Sequence, residues 1–240
     1  MTAPGRRVSR ARRLVRAVLA GAATAAVVLG MALLIRGQWD PLERFDERVV
    51  TAATRIAASS PALISVLLDW QWVFAAARFI VPVTVVCLLF WWRTGRATRT
   101  WWALVTIAAA WGVSNLAKDV ARRARPVLDH PLTNAQGYSF PSGHATTTAA
   151  MTTALVLLVW PVLRRRWMRV GAITAAVTLT LLTALDRVLL GAHYPSDVIG
   201  GMVLGAGFVL ASFLGYRGWS PAPEPAPEPE TVPTTEAGRR

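Results

Sequence analysis

Three short clusters in this 240-residue chain hold side chains able to do chemistry together. The first is Lys118, six residues, then Arg125 and Pro126. The second is Pro141-Ser142-Gly143-His144. The third is Arg187, five residues, His193, three residues, then Asp197. If one helix runs through the first cluster, Lys118 and Arg125 lie two turns apart on one face and point at one anion. Ser142 suits an N-cap ahead of a long apolar helix. The free N–H groups there form a ready phosphate site, and Gly143 lets an anion approach closely. His193 and Asp197 are close enough for the carboxylate to bond one imidazole nitrogen. That fixes the tautomer and leaves the other nitrogen as nucleophile or base. Two histidines, three cations and a helix N-terminus about one point describe a phosphoryl-transfer site.

The elements that position these clusters are membrane helices. The chain is 54% hydrophobic with a mean hydropathy of +0.41, and its formal charge is +13. Long stretches nevertheless carry no charge, which excludes an ordinary soluble globule and a disordered chain. Cys87 is the one cysteine, so no internal disulfide scaffold exists. Nucleic acid is not the expected partner: the basic residues sit mostly between apolar runs and match no nucleic-acid-binding signature.

A bilayer core of roughly 30 Å needs about 20 apolar residues per helix. Six runs approach that length: Ala17 to Ile35, Trp72 to Trp92, Thr100 to Ala117, Ala145 to Leu163, Val170 to Leu185 and Val198 to Tyr216. Arg78 interrupts the second near one end, where it can snorkel to the interface. Ten of the 11 tryptophans fall at or near run ends, as an interfacial belt requires; only Trp111 lies well inside a run. Arginines crowd before the first run, between the second and third (Arg93, Arg96, Arg99), and between the fourth and fifth (Arg164, Arg165, Arg166, Arg169). These segments alternate on one side, which the positive-inside rule makes cytoplasmic. Both termini are then inside, and all three clusters face outside. The fold expected is all-α, an integral membrane bundle of six transmembrane helices with an external active site.

The expected organisation is a basic cytoplasmic N-terminus over residues 1–16, a membrane domain over 17–216 and a Pro/Glu-rich disordered cytoplasmic tail over 217–240. The first run is too long for a signal-peptide core and lacks a clear small-residue cleavage site, so it reads as a span. Asp40 to Ser60 reads as an amphipathic helix on the outer surface, with Phe45, Val49, Val50, Ala53 and Ile56 at helical spacing.

At its three clusters the chain resembles the type 2 phosphatidic acid phosphatase superfamily. That superfamily includes membrane lipid phosphatases, bacterial acid phosphatases and vanadium haloperoxidases. Its signature, Lys-x6-Arg-Pro, then Pro-Ser-Gly-His, then Ser-Arg-x5-His-x3-Asp, appears here as KDVARRARP, PSGH and DRVLLGAHYPSD, in order and with matching spacings. The resemblance implies a phosphatase that needs neither metal nor cofactor. It implies His193 as the nucleophile that forms a phosphohistidine, and Asp197 as the group orienting it. It implies His144 as the acid that protonates the leaving alkoxide and then activates water, help typically worth about 10²–10⁴ in rate. Lys118, Arg125, Arg187, Ser142 and Gly143 would bind the phosphoryl oxygens. Asp186 departs from the pattern by standing where the superfamily often has Ser; a local pair with a neighbouring cation would accommodate it.

The partners implied are the bilayer and a lipid phosphate: polyprenyl pyrophosphate, phosphatidic acid or phosphatidylglycerophosphate. Two other readings share the residues. One is a phosphotransferase using the same phosphohistidine. The other is a non-catalytic protein that binds or translocates phospholipid, which would need the cations but not the histidines. Zinc on His144, His193 and Asp197 is arithmetically possible but leaves the cations unexplained. Arg122 and Arg123 read as ordinary surface anchors, and His130 belongs to no cluster.

Overall fold

The computed structural model describes residues 10–128 and 131–216. The expected tail, Arg6, Arg7 and His130 lie outside the described residues. The described residues form eight helices and no strand: α1 (Arg10–Arg36), α2 (Asp40–Ala58), α3 (Pro61–Val73), α4 (Ala76–Thr94), α5 (Ala97–Ala121), α6 (Gly143–Val159), α7 (Arg166–Leu189) and α8 (Pro195–Tyr216).

Each of the six apolar runs has most of its length in its own helix, α1 and α4 to α8. Four of them, α1, α4, α7 and α8, are long and apolar enough to cross a membrane. The remaining two differ for physical reasons. α6 has only 17 residues and is the innermost helix, with Ala145 to Thr152, Ala154 and Leu158 buried. A helix sheathed by other helices need not match lipid along its whole surface. α5 is diluted by Thr100, Thr106, Ser114 and Asn115.

The second run begins later than its sequence suggests. Phe74 is buried, stacks on Trp70 at 4.4 Å and meets Phe79 at 4.7 Å. This aromatic wedge ends α3, and α4 starts at Ala76. The α2–α3 pair is bent by 113°. The seven charged residues of α2 make it a poor span, so the pair reads as a re-entrant shoulder over the bundle end. The face of α2 is also rotated from the expected one. Phe45 and Ile56 are exposed, while Asp46, Val50, Thr54 and Ala57 are buried. A buried ionic contact of Asp46, described below, sets that rotation.

α8 packs against α1 and α6 with almost no side chain between backbones. A Cβ on Gly205 would stand 2.2 Å from the Thr146 carbonyl oxygen, and one on Gly201 would stand 2.8 Å from that of Ser142. Small residues at such positions let membrane helices approach closely. α4, α5, α6 and α8 share a core that includes Val83, Cys87, Phe90, Ile107, Met151, Leu158 and Val209. Arg99 donates to the Leu157 and Leu158 carbonyls at the end of α6, satisfying groups a helix C-terminus leaves free. α6 and α8 therefore hold their N-terminal ends, and the clusters on them, in fixed register.

Candidate active site

α5 does not continue to Arg125. It ends at Ala121, and Arg122 takes a left-handed conformation with φ of 49°. Lys118 and Arg125 are therefore not two turns of one helix. They converge because the chain turns at Arg122 and comes back over the bundle end. Arg125 is then clamped by carbonyls: its Nε donates to Gly137 (3.0 Å), Nη1 to Ala192 (2.7 Å) and Nη2 to Gln136 (2.8 Å). These bonds staple the loop before α6 onto the loop before α8.

Ser142 occupies the N-cap position of α6, but its hydroxyl caps nothing. The Ser142 N–H donates to the Asp197 carbonyl at 3.0 Å, and its Oγ is buried without a hydrogen-bond partner among the described residues. The expected cap is thus replaced by a hydroxyl left free beside the helix terminus. At the next position Lys118 Nζ lies 3.4 Å from where a Gly143 Cβ would stand, in van der Waals contact. The ammonium sits directly on the α6 N-terminus, and both act on one spot.

His193 lies in the short connection between α7 and α8 and is 3% exposed. Its Nδ1 is 3.5 Å from Asp197 Oδ2 and 3.3 Å from Ser139 Oγ. Its Nε2 is 3.2 Å from Arg125 Nη1. A guanidinium only donates, so Nε2 is the acceptor and the ring proton sits on Nδ1, facing Asp197. Burial pushes the His193 pKa below 6.5, with Asp197 pulling it up and Arg125 and Arg187 pushing it further down. The ring is neutral at neutral pH, with an unprotonated nitrogen turned toward cations.

The carboxylate behind it is held on every side. Asp197 is fully buried and accepts from Ser139 Oγ, from the Tyr194 N–H at 2.9 Å and from Arg123 Nη1 at 2.7 Å. Arg123 was expected to be a surface anchor and is not one. Its Nη2 reaches the fully buried Asp46 of α2 at 2.7 Å, and its guanidinium lies 4.1 Å from the Tyr194 ring. Asp46 also accepts from the Ser196 N–H at 3.0 Å and from the Ser196 hydroxyl. The two carboxylates hold the Arg123 pKa above its ordinary value against desolvation. Asp46, Arg123, Ser139 and Ser196 lie outside the three clusters. One signal was legible: Asp46 stands four residues from both Leu42 and Val50, a carboxylate on the apolar side of its helix.

Arg187 and Asp186 pair locally, as the Asp186 substitution required. Arg187 Nε donates to Asp186 Oδ2 at 2.8 Å, and Nη2 bonds the same oxygen. Arg187 Nη1 donates to Gln71 Oε1 of α3 at 2.7 Å, so α3 helps to aim it. His144 lies at the start of α6 with its Nε2 buried and free of any hydrogen bond among the described residues.

Lys118, Arg125, Gly143, His144, Arg187 and His193 line one cavity of about 410 Å³, together with Gln71, Trp72 and Arg78. Ser142 and Asp197 stand directly behind it through the bonds above. All eight residues singled out by spacing meet at one end of the bundle.

The same segment is matched by comparison with known proteins. The profile of the PAP2 superfamily matches residues 99–220, just over half of the chain and all three clusters. The chain is 41% identical over 107 residues to the lipid A 1-phosphatase of Rhizobium johnstonii, covering 41% of this chain and 40% of that protein. It is 40% identical over 119 residues to the decaprenylphosphoryl-5-phosphoribose phosphatase of Mycobacterium tuberculosis, covering 46% and 58%. These matches span about half the length of those relatives. The fold is similar to that of a transmembrane PAP2-type phosphatidylglycerolphosphate phosphatase from Bacillus subtilis, with a TM-score of 0.75 and 20% identity over 84% of this chain and 98% of that one. With the match covering just over half of the chain and all three clusters, this chain belongs to the PAP2 superfamily.

Proposed function

We propose that the protein is an integral-membrane lipid phosphatase that hydrolyses a phosphomonoester or pyrophosphate of a lipid through a phosphohistidine. The observation that carries this reading is the His193 ring, with Nδ1 turned to Asp197 and an unprotonated Nε2 turned to Arg125 at the cavity. A protein that only binds phospholipid needs the cations but not that tautomer.

In the first step the Nε2 lone pair attacks phosphorus and the bond from phosphorus to the leaving oxygen breaks. The imidazole becomes cationic, and Asp197, across from Nδ1, stabilises that charge. Lys118, Arg187, the Ser142 hydroxyl and the N–H groups at the α6 N-terminus take the phosphoryl oxygens. Arg125 Nη1 already stands beside Nε2 and meets the entering oxygen there. Burial, Arg187 and His193 hold the His144 pKa down to about 3. A bound phosphate dianion offsets those cations and brings a proton onto the ring, and His144 Nε2 gives that proton to the leaving oxygen. In the second step that nitrogen takes a proton from water, water oxygen attacks phosphorus, and the N–P bond breaks to return His193. Neither step requires a metal or cofactor.

The six apolar helices are then six spans, with residues 17–216 as the membrane domain. The arginine-rich segments at Arg93 to Arg99 and Arg164 to Arg169, together with both termini, are cytoplasmic. The cavity opens on the extracytoplasmic face, within reach of outer-leaflet lipid. The relatives named for lipid A and for a decaprenylphosphoryl compound fit anionic lipids with the phosphate at the membrane surface.

The test is phosphate release from a panel of lipid phosphates by full-length protein in detergent, with chelator present. Wild type releases phosphate, vanadate blocks it, and His193→Ala loses it by at least about 10³-fold. No release from any lipid, or equal release by the variant, refutes the proposal. A non-water acceptor that raises turnover would favour the phosphotransferase reading.

A further inference from the structure

Arg78 is the cavity cation that the three clusters do not contain. It comes from the first turn of α4, across the α3–α4 break, and it is exposed. The guanidinium lies 4.2 Å from the centre of the Trp72 ring, and its Nη1 donates to the Trp72 carbonyl at 3.3 Å. One donor and one face are thus engaged, which holds the planar fork in place. The other donors are left for a bidentate acceptor of the phosphate kind.

The charge balance of the cavity supports such an acceptor. Among the described residues lining it there is no carboxylate. Arg187 has Asp186 as its counter-ion, but no carboxylate among the described residues lies within ion-pair distance of Lys118, Arg125 or Arg78. Three cations without a directly paired carboxylate face a phosphate that carries about −1.5 to −2. A lipid with a second phosphate beside the first comes closer to matching them.

Position decides which phosphate Arg78 would meet. Its cavity neighbours on α3 are Gln71, which bonds Arg187, and Leu68 and Trp72, both exposed, the latter at 59%. Apolar and tryptophan side chains mark the lipid side of the opening. The cleaved phosphate lies at His193, so Arg78 lies toward the lipid.

Resting on the phosphatase reading above, we infer that Arg78 is a specificity-determining second anion subsite. It binds the phosphate on the lipid side of the one removed. That phosphate can be linked directly, as in a diphosphate, or spaced by a glycerol, as in phosphatidylglycerophosphate.

The experiment uses full-length protein in detergent and two matched pairs: farnesyl diphosphate with farnesyl phosphate, and phosphatidylglycerophosphate with phosphatidic acid. Inorganic phosphate release gives kcat/KM for each with wild type, Arg78→Ala and Arg78→Lys. Thermal melts check that the variants remain folded. The preference of wild type for the member with two phosphates falls about tenfold in Arg78→Ala, the scale of one lost charge-assisted hydrogen bond. Arg78→Lys keeps part of it. The pair that responds identifies the spacing. A preference ratio that stays constant or rises in both pairs overturns the inference and makes Arg78 an interfacial anchor. Wild type that turns over none of the four lipids refutes the phosphatase reading itself.

Discussion

Removing the Arg123 guanidinium leaves Asp46 and Asp197, both fully buried, without their shared counter-charge. Breaking a buried pair in this way costs about 3–5 kcal/mol, so Arg123→Met should melt well below wild type. Its effect on the chemistry is separable by pH. In the proposed mechanism the neutral His193 ring is the reactive form, and burial holds its pKa below 6.5. The acid limb of kcat/KM should therefore lie below pH 6.5. Without Arg123, the Asp197 charge acts uncompensated on His193 and raises the imidazole pKa. The limb then moves to higher pH, and less far in Arg123→Lys. A pH–rate profile measures this; an unmoved limb would mean that Arg123 only supports the fold. The eight cluster residues were legible because each cluster is local in sequence. Arg123 was not, because its partners lie 77 and 74 residues away and an arginine at a bundle end normally anchors.

Helix packing gives a sharper contrast of sign. A Cβ on Gly205 would press 2.2 Å from the Thr146 backbone oxygen, which cannot yield without parting α6 from α8. Gly205→Ala should destabilise by about 1–3 kcal/mol or more. Gly30→Ala in α1 meets nothing within 4 Å and should be neutral or stabilise by up to about 1 kcal/mol. Thermal melts should place Gly205→Ala below wild type and Gly30→Ala at or above it; equal shifts would contradict the backbone contact. The apolar runs marked the helices that carry the site, since lipid-length hydrophobicity is a property of sequence alone. The bend between α2 and α3, the rotated face of α2 and the stop of α5 at Ala121 were not legible. They depend on an aromatic wedge at Phe74, on Asp46 reaching Arg123, and on the left-handed turn at Arg122.

Across the whole molecule, the arginine distribution and the cavity place opposite demands on the two membrane faces. Arginines gather at the turns after α4 and after α6, whereas the cavity lies at the other end of the same helices. With Cys87→Ala removing the one native cysteine, Asn134→Cys and Arg165→Cys can be tested singly in intact cells. An impermeant maleimide should label position 134 and spare 165. The reverse pattern would invert the orientation and move the cavity to the cytoplasmic leaflet. The proposed orientation rests on composition and charge, to which membrane insertion responds directly.

Whether His193 carries the phosphoryl group can be read by a rapid quench in alkali with 32P-labelled substrate. An alkali-stable, acid-labile phosphohistidine should appear on wild type, accumulate in His144→Ala, where its hydrolysis is slowed, and be absent from His193→Ala. Label that persists in His193→Ala, or turnover by that variant at the wild-type rate, would contradict the account.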